Sequence, residues 1–301
     1  MTSFSIQPRG PFSLAAASDF ADGFAAGIGA HGTSTGILMT FPVEGWRHSA
    51  AVDVWQTPDG AVHGEVAGGA DVELVRTQAA RSLSLDHDGS SWVAVGEADP
   101  VLGALQRRYD WLRPVCFYSA YEAATSFVIG QRIAMRQARV IKARLTDSLG
   151  DGIAIGDREV RAFPRPQRLV DLTEVQGLNA TKVARLRDLA AAAMDGRLDT
   201  ERLRALPHVE ALAALQSLPG IGPWTASAVL LRGCGVADAL PLVDDISRAA
   251  VRWAYDLDEL PDNEAWERIS DGWRPFRMWA SVLLHMAWRR AQPATPSYRQ
   301  G

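Results

Sequence analysis

The sequence has few of the residues that build disulfide scaffolds or metal centres. Among 301 residues there are two cysteines, Cys116 and Cys234, and their spacing is not that of a metal site. Two cysteines are too few for a disulfide framework, so we expect reduced thiols and a cytoplasmic protein. The six histidines are scattered along the chain, which disfavours a histidine-based metal site.

Long apolar runs are also missing from the chain. No window of about 18 apolar residues free of charge appears, so we expect no membrane span. The first ten residues contain no basic segment followed by an apolar stretch, and we expect no secretory signal. With 47% hydrophobic and 22% charged residues, the composition is that of a globular protein, and the length allows about two domains.

Basic charge is scarce in the first third of the chain. The net charge is −4, but residues 1–100 contain four basic and twelve acidic side chains, which leaves a balance of +4 for residues 101–301. This asymmetry suggests that only the second part meets a polyanion. Taken alone, a balance of +4 over 201 residues is also what an ordinary protein surface carries.

The sequence changes from a strand-like pattern to a helical pattern along the chain. From Phe4 to about Val101 the pattern is strand-like, with short apolar runs such as 36–41 and 50–55, a turn at 57–60 and one helix over 12–26. We therefore predict an antiparallel α+β domain over residues 1–105. Residues 106–301 are predicted to form a helical domain.

The helical part is predicted to begin with one long amphipathic helix over residues 121–149, which carries five basic side chains. A loop or short ribbon follows at 153–166. Further helices are predicted over residues 168–174, 179–194, 199–205, 208–217, 223–233, 245–256, 262–270 and 275–291.

The strongest local signal is the segment 218–226, Leu-Pro-Gly-Ile-Gly-Pro-Trp-Thr-Ala. A helix runs into Gly-x-Gly, and a new helix starts with proline in its first turn. Glycine supplies a positive φ angle, and Pro223 suits a helix N-terminus. The backbone N–H groups of such a turn bind an anion such as phosphate without reading base sequence, whereas the alternative is a plain tight turn.

Three further motifs follow the hairpin in order: Leu-Arg-Gly at 231–233, Leu-Pro-Leu-Val-Asp-Asp at 240–245 and Trp-Arg-Pro-Phe-Arg at 273–277. With these motifs, residues 115–291 resemble the helix-hairpin-helix DNA glycosylases, most closely the bacterial 3-methyladenine DNA glycosylase II type. The resemblance implies an α+β fold, in which an N-terminal antiparallel β-sheet domain precedes an all-α helix-hairpin-helix glycosylase domain. It also implies an enzyme that flips an alkylated base out of double-stranded DNA and hydrolyses its N-glycosidic bond. We expect a monomer.

The resemblance places one essential aspartate downstream of the hairpin, where it stabilises the positive charge that develops on the sugar or orients the attacking water. Two adjacent residues, Asp244 and Asp245, fit this role. Spacing from Gly222 favours Asp244 as the catalyst, with Asp245 as the alternate or as a helix cap.

A second position separates two branches of the family. Members that also cut the DNA strand carry a lysine two residues after the second hairpin glycine, and this lysine forms a Schiff base with the sugar. Here that residue is Trp224, which implies a monofunctional enzyme. The aromatic side chains predicted to form the base pocket are Trp224, Trp279, Trp288 and Tyr121.

DNA contacts are predicted at the hairpin and at a second segment, 129–133. The predicted residues are Gly220, Ile221, Gly222, Thr225, Gln131 and Arg132. By resemblance, the residue after Gln131 fills the gap left by the flipped nucleotide, although Arg132 departs from the apolar side chain of the closest relatives, and a plain surface arginine is the alternative. No metal or cofactor is expected, and the resemblance allows a monovalent cation at the hairpin carbonyls.

Two other functions remain open at this stage. One is a glycosylase for another lesion, such as oxidised guanine or uracil. The other is a non-catalytic helix-hairpin-helix DNA-binding protein, which an aspartate at catalytic spacing disfavours, because a carboxylate weakens phosphate binding.

Overall fold

A computed structural model describes residues 2–23, 30–32, 36–241 and 245–292 of the chain. The N-terminal part is a five-stranded antiparallel sheet in the order β1-β5-β4-β3-β2, with one helix inserted after the first strand. Its elements are β1 Thr2–Ile6, α1 Leu14–Gly23, β2 Ala30–Gly32, β3 Gly36–Pro42, β4 Ser49–Gln56 and β5 Val62–Ala67. The predicted turn at 57–60 joins β4 to β5, and the N–H of Gly60 donates to the Thr57 carbonyl at 2.8 Å.

Residues 72–101 were predicted as strand-like, and this prediction is wrong. They form α2 Val72–Ser82, α3 Trp92–Ala98 and the start of α4 Pro100–Arg108. Asp71 and Asp99, which resemble turn residues in the sequence, are helix caps whose carboxylates accept hydrogen bonds from the first backbone N–H groups of α2 and α4.

The second part of the chain is helical apart from one two-stranded ribbon. Its elements are α5 Ala120–Gly130, α6 Met135–Leu149, β6 Gly152–Ile155, β7 Arg158–Arg161, α7 Pro166–Leu169, α8 Ala180–Met194, α9 Thr200–Ala205, α10 His208–Gln216, α11 Pro223–Ala228, α12 Asp245–Ala254, α13 Asn263–Asp271 and α14 Arg277–Ala291. A π-helical turn over Val229–Gly233 continues α11. The predicted α+β architecture is confirmed, and no helix in the described ranges is long and apolar enough to cross a membrane.

The sheet is covered on both faces by later parts of the chain. Ile37 and Met39 of β3 face the main core, which also contains Leu284 of α14. Leu38, on the opposite face, packs with Ile153 and Ile155 of the ribbon. One continuous core therefore joins the sheet to the helices. The predicted boundary between residues 105 and 106 falls inside α4 and stays a prediction.

The single long helix predicted over 121–149 is broken at residues 131–134, which separate α5 from α6. Gln131 is extended, and Arg132 has φ of +55°, in the left-handed region that side chains other than glycine rarely adopt. The Lys182 ammonium of α8 donates to the carbonyls of Ile129 (2.9 Å) and Gln131 (2.5 Å). A cation at the last carbonyls of α5 stabilises the end of that helix, and this contact comes from a distant part of the chain.

Candidate functional site

The predicted hairpin is present between α10 and α11. Gly220 has φ of +84°, and the Ile221 N–H donates to the Leu218 carbonyl at 3.1 Å, which closes the turn. Gly222 precedes α11 in an extended conformation, and Pro223 is the first helical residue. Gly222 and Pro223 are exposed, whereas Ile221 and Thr225 are buried. The turn therefore presents backbone at the surface while the side chains of Ile221 and Thr225 anchor it.

A large cleft of about 1090 Å³ lies beside this turn, between α5 and α6 on one side and α8 and α11 on the other. Phe117, Phe127 and Trp224 supply aromatic surface. Among the described residues that line the cleft, none is acidic and six are basic: Arg132, Arg139, Lys142, Lys182, Arg185 and Arg232. Such a lining attracts an anionic ligand and offers rings for stacking.

A smaller cavity of about 160 Å³ shares Phe127, Trp224 and Arg232 with the cleft. It continues between α11, α12 and α14, where Met278, Ser281 and His285 line it. Pro241 and Ser247 also line it, and they flank residues 242–244 on either side. Asp244 lies outside the described residues. Asp245 is the first residue of α12 and is exposed.

Trp224 stands in the wall between the two spaces. Its side chain is 49% exposed and meets the Phe127 ring edge-to-face, with centroids 5.6 Å apart. Phe127 thus supports the indole, and about half of the side chain remains open to a ligand. Phe127, which the sequence suggested only as an apolar helix position, is thus a wall of both spaces.

Two of the other aromatic residues predicted for the pocket lie elsewhere. Tyr121 is fully buried and its hydroxyl donates to the Pro164 carbonyl at 3.1 Å, and Trp279 is fully buried and stacks on Phe276 at 4.4 Å. Neither lines the cleft or the smaller cavity, so burial in the core contradicts these two assignments. Trp288 is partly buried beside His285, with ring centroids 6.2 Å apart, and its role stays a prediction.

A buried ion pair borders the cleft. The Lys142 ammonium donates to Glu122 Oε1 at 2.7 Å, and it lies 5.4 Å and 5.0 Å from the ring centroids of Phe117 and Phe163. Burial raises the pKa of the Glu122 carboxyl, and the Lys142 ammonium opposes that rise. The pairing was not predicted, because position 142 reads in sequence as one more cation of a basic helix.

The backbone carbonyls of the hairpin are the place where the resemblance allows a monovalent cation. Among the described residues no group of three or more His, Cys, Asp or Glu side chains could hold a metal ion. The Leu218 and Gly220 carbonyls of the turn already accept hydrogen bonds, from the Ile221 N–H and from the Gln131 amide. A carbonyl oxygen has two lone pairs and can contact a cation as well, so the monovalent cation at the hairpin stays a prediction.

The sequence and the fold of this chain are similar to those of known proteins. No protein-family model matches the chain. The chain is 27% identical over 212 residues to the DNA-3-methyladenine glycosylase of Bacillus subtilis strain 168, and the match covers 69% of each protein. Among solved structures, the 3-methyladenine DNA-glycosylase from Archaeoglobus fulgidus superposes with a TM-score of 0.79 at 20% identity, covering 98% of this chain and 100% of that one. The chain has the helix-hairpin-helix DNA glycosylase fold.

The same fold extends to a protein named for a different activity. The Clostridium acetobutylicum 8-oxoguanine glycosylase/lyase superposes with a TM-score of 0.66 at 16% identity, covering 96% of each chain. The resemblance predicted from the four motifs is confirmed. Within this fold, Trp224 follows the hairpin and lines both the basic cleft and the smaller cavity.

Proposed function

We propose that this protein is a monofunctional DNA glycosylase that excises alkylated purines from double-stranded DNA. The observation that carries the proposal is that Trp224, in the first turn of the helix after the hairpin, lines both the basic cleft and the smaller cavity, which Pro241 and Ser247 also line. The Bacillus subtilis relative, named for 3-methyladenine, supports the choice of substrate. DNA is the partner that a basic cleft beside a helix-hairpin-helix turn suits.

Phosphate would be held at the hairpin. The exposed turn at Gly222 and the N-terminus of α11 offer backbone N–H groups and a positive dipole end. Arg132, Arg136 and Arg139 are exposed on or next to the first two turns of α6 and extend the positive surface along the cleft. These contacts position the duplex without reading its sequence.

The flipped base would stack on Trp224. Purines methylated at ring nitrogens, such as 3-methyladenine, carry positive charge, and the face of an indole ring attracts a cation. Such a base is also a good leaving group, so a modest catalyst suffices to release it.

Asp244 is the proposed catalyst. When the bond between C1′ and the base nitrogen breaks, the bonding electrons leave with the base and the sugar becomes oxocarbenium-like. A carboxylate at that point stabilises the charge or orients the water that adds to C1′. Support comes from Pro241 and Ser247, three residues before and after Asp244 in the sequence, which line the same cavity as Trp224.

The direct test is base release from methylated duplex DNA by the wild-type protein, with binding measured alongside. We expect methylpurines to be released and intact abasic sites to remain, so that the strand breaks only after hot alkali. Borohydride should trap no covalent complex, because Trp224 cannot form a Schiff base. Binding without release would instead favour a non-catalytic module, and release of oxidised guanine or uracil alone would favour another lesion.

Alanine substitutions at the two hairpin glycines should affect stability and DNA binding differently. A methyl group at Gly222 meets no atom within 4 Å, and its φ of −86° suits any residue, so Gly222→Ala should leave the melting temperature unchanged and weaken DNA binding. Gly220→Ala should lower both the melting temperature and the affinity for DNA. A left-handed backbone costs about 1–2 kcal/mol once a side chain is present, and the new Cβ would lie 2.5 Å from Arg185 Cδ.

Melting curves and anisotropy titrations with two undamaged duplexes of unrelated sequence would check this. The loss for Gly222→Ala should be equal on both duplexes, because the contact is to phosphate. Unchanged affinity in both variants would show that the turn is only structural.

We also propose that the protein acts as a monomer in the cytoplasm. The two cysteines are free and buried, which suits a reducing compartment. Sedimentation of the protein alone and with DNA would test the oligomeric state.

A further inference from the structure

The hairpin is tied to the loop at residues 131–134 by one side chain. Gln131 Nε2 donates to the Gly220 carbonyl at 2.8 Å, and Gln131 Oε1 accepts from Arg185 Nη1 at 3.2 Å. Both ends of this amide are therefore engaged within the protein. The amide keeps one further N–H and one further oxygen lone pair, but these two contacts hold it against the hairpin, and the direct DNA contact predicted for Gln131 stays a prediction.

Arg185 and Lys182 support the same junction from α8. The aliphatic part of Arg185 packs so closely under Gly220 that a Cβ there would lie 2.5 Å from Arg185 Cδ. Lys182 donates to the carbonyls of Ile129 and Gln131, and its pKa is lowered by burial and by the nearby Arg185. The hairpin turn, the end of α5 and one face of α8 thus form a single hydrogen-bonded unit.

The residue that follows Gln131 is held in an unfavourable conformation. Arg132 has φ of +55°, lies on the surface and lines the cleft. A left-handed arginine persists only where neighbouring contacts over-determine it, and such residues concentrate at functional sites. Here the hydrogen bonds of the Gln131 side-chain amide and of the Gln131 carbonyl impose the conformation. The direction of Arg132 therefore depends on the position of the hairpin.

We propose that Gln131 is a positioning residue that couples phosphate binding at the hairpin to the placement of the 131–134 loop in the duplex. The proposal rests on the proposed function, because it assumes that this face binds DNA. Phosphate at the turn fixes Gly220, the Gln131 amide transmits that position, and Arg132 is then presented to the gap in the base stack. Loss of the link leaves the phosphate contact intact and loosens the loop.

Binding to two duplexes separates this role from a plain DNA contact. One duplex is undamaged, and the other contains a tetrahydrofuran abasic-site analogue, whose gap the loop must fill. Gln131→Met keeps the length of the side chain and removes both hydrogen bonds. We expect about a tenfold loss of affinity for the abasic duplex and less than about a twofold loss for the undamaged one, since the lost bonds act on the loop.

Arg185→Met and Arg187→Met form a matched pair on α8. Each removes one cation, but only Arg185 contacts Gln131, and Arg187 is exposed on the same helix. We expect Arg185→Met to reduce the preference for the abasic duplex and Arg187→Met, at a residue that does not line the cleft, to leave that preference unchanged. The double variant Gln131→Met/Arg185→Met should lose no more preference than Gln131→Met alone.

The preference for the abasic duplex decides the result even if the variants are less stable, because partial unfolding lowers both affinities by the same factor. Equal losses on both duplexes for Gln131→Met and Arg185→Met, or no loss on either, would overturn the proposal. The abasic duplex needs no catalysis. A wild type that binds it selectively but releases no methylated base would therefore refute the glycosylase assignment and leave this test in place.

Discussion

Replacing Asp244 by Asn should abolish base release from methylated DNA. Removing a group that stabilises transition-state charge costs about 10²- to 10³-fold, and the amide carries no charge to oppose the oxocarbenium-like sugar. DNA affinity should be equal or tighter, because the substitution removes one negative charge from a protein that binds a polyanion. Single-turnover release and equilibrium binding, measured on the same duplex, check both parts.

Asp245→Asn is the matched control, because it makes the same chemical change one residue away. Asp245 is exposed at the first position of α12, where a carboxylate interacts favourably with the helix N-terminus. We expect its replacement to cost far less activity than that of Asp244. If Asp245→Asn reduces base release more than Asp244→Asn does, the catalyst is Asp245 and not Asp244.

Trp224→Ala should lower the release of cationic methylpurines more than the release of a neutral base such as hypoxanthine. The indole face is lost in both cases, but the cation–π attraction, about 1–2 kcal/mol in a desolvated site, is lost only for the charged base. That difference corresponds to a further loss of roughly 5- to 30-fold in single-turnover rate on the charged substrate. The melting temperature should change little, because half of the side chain is already exposed.

Trp253→Ala provides a comparison for this substitution. Trp253 is 41% exposed on α12 and lines neither the cleft nor the smaller cavity, so its loss should leave both substrates unaffected. Equal losses on charged and neutral bases in Trp224→Ala would leave Trp224 as a stacking or packing residue without a role in charge recognition.

Local chemistry explains why the sequence alone predicted the hairpin, most helices and the ribbon. Gly220 and Pro223 restrict the backbone through their own covalent structure, so the turn and the start of α11 need no distant partner. Helices α8, α9, α10 and α14 begin and end within about two residues of their predicted limits, because their apolar periodicity is local. Asn179 and Asp199 also cap the first turns of α8 and α9. The order of the four motifs likewise indicated the fold that superposition confirms.

The tertiary structure decided where the long helix breaks and which aromatic residues are available to a ligand. Periodicity continues through residues 131–134, and the break is stabilised by Lys182, which is 51 residues from Gln131. Trp279 and Trp224 are the same residue type on similar apolar faces, yet one stacks inside the core and the other is 49% exposed. Sequence patterns identify an apolar face but not the element that covers it, because that depends on contacts between residues far apart in the chain.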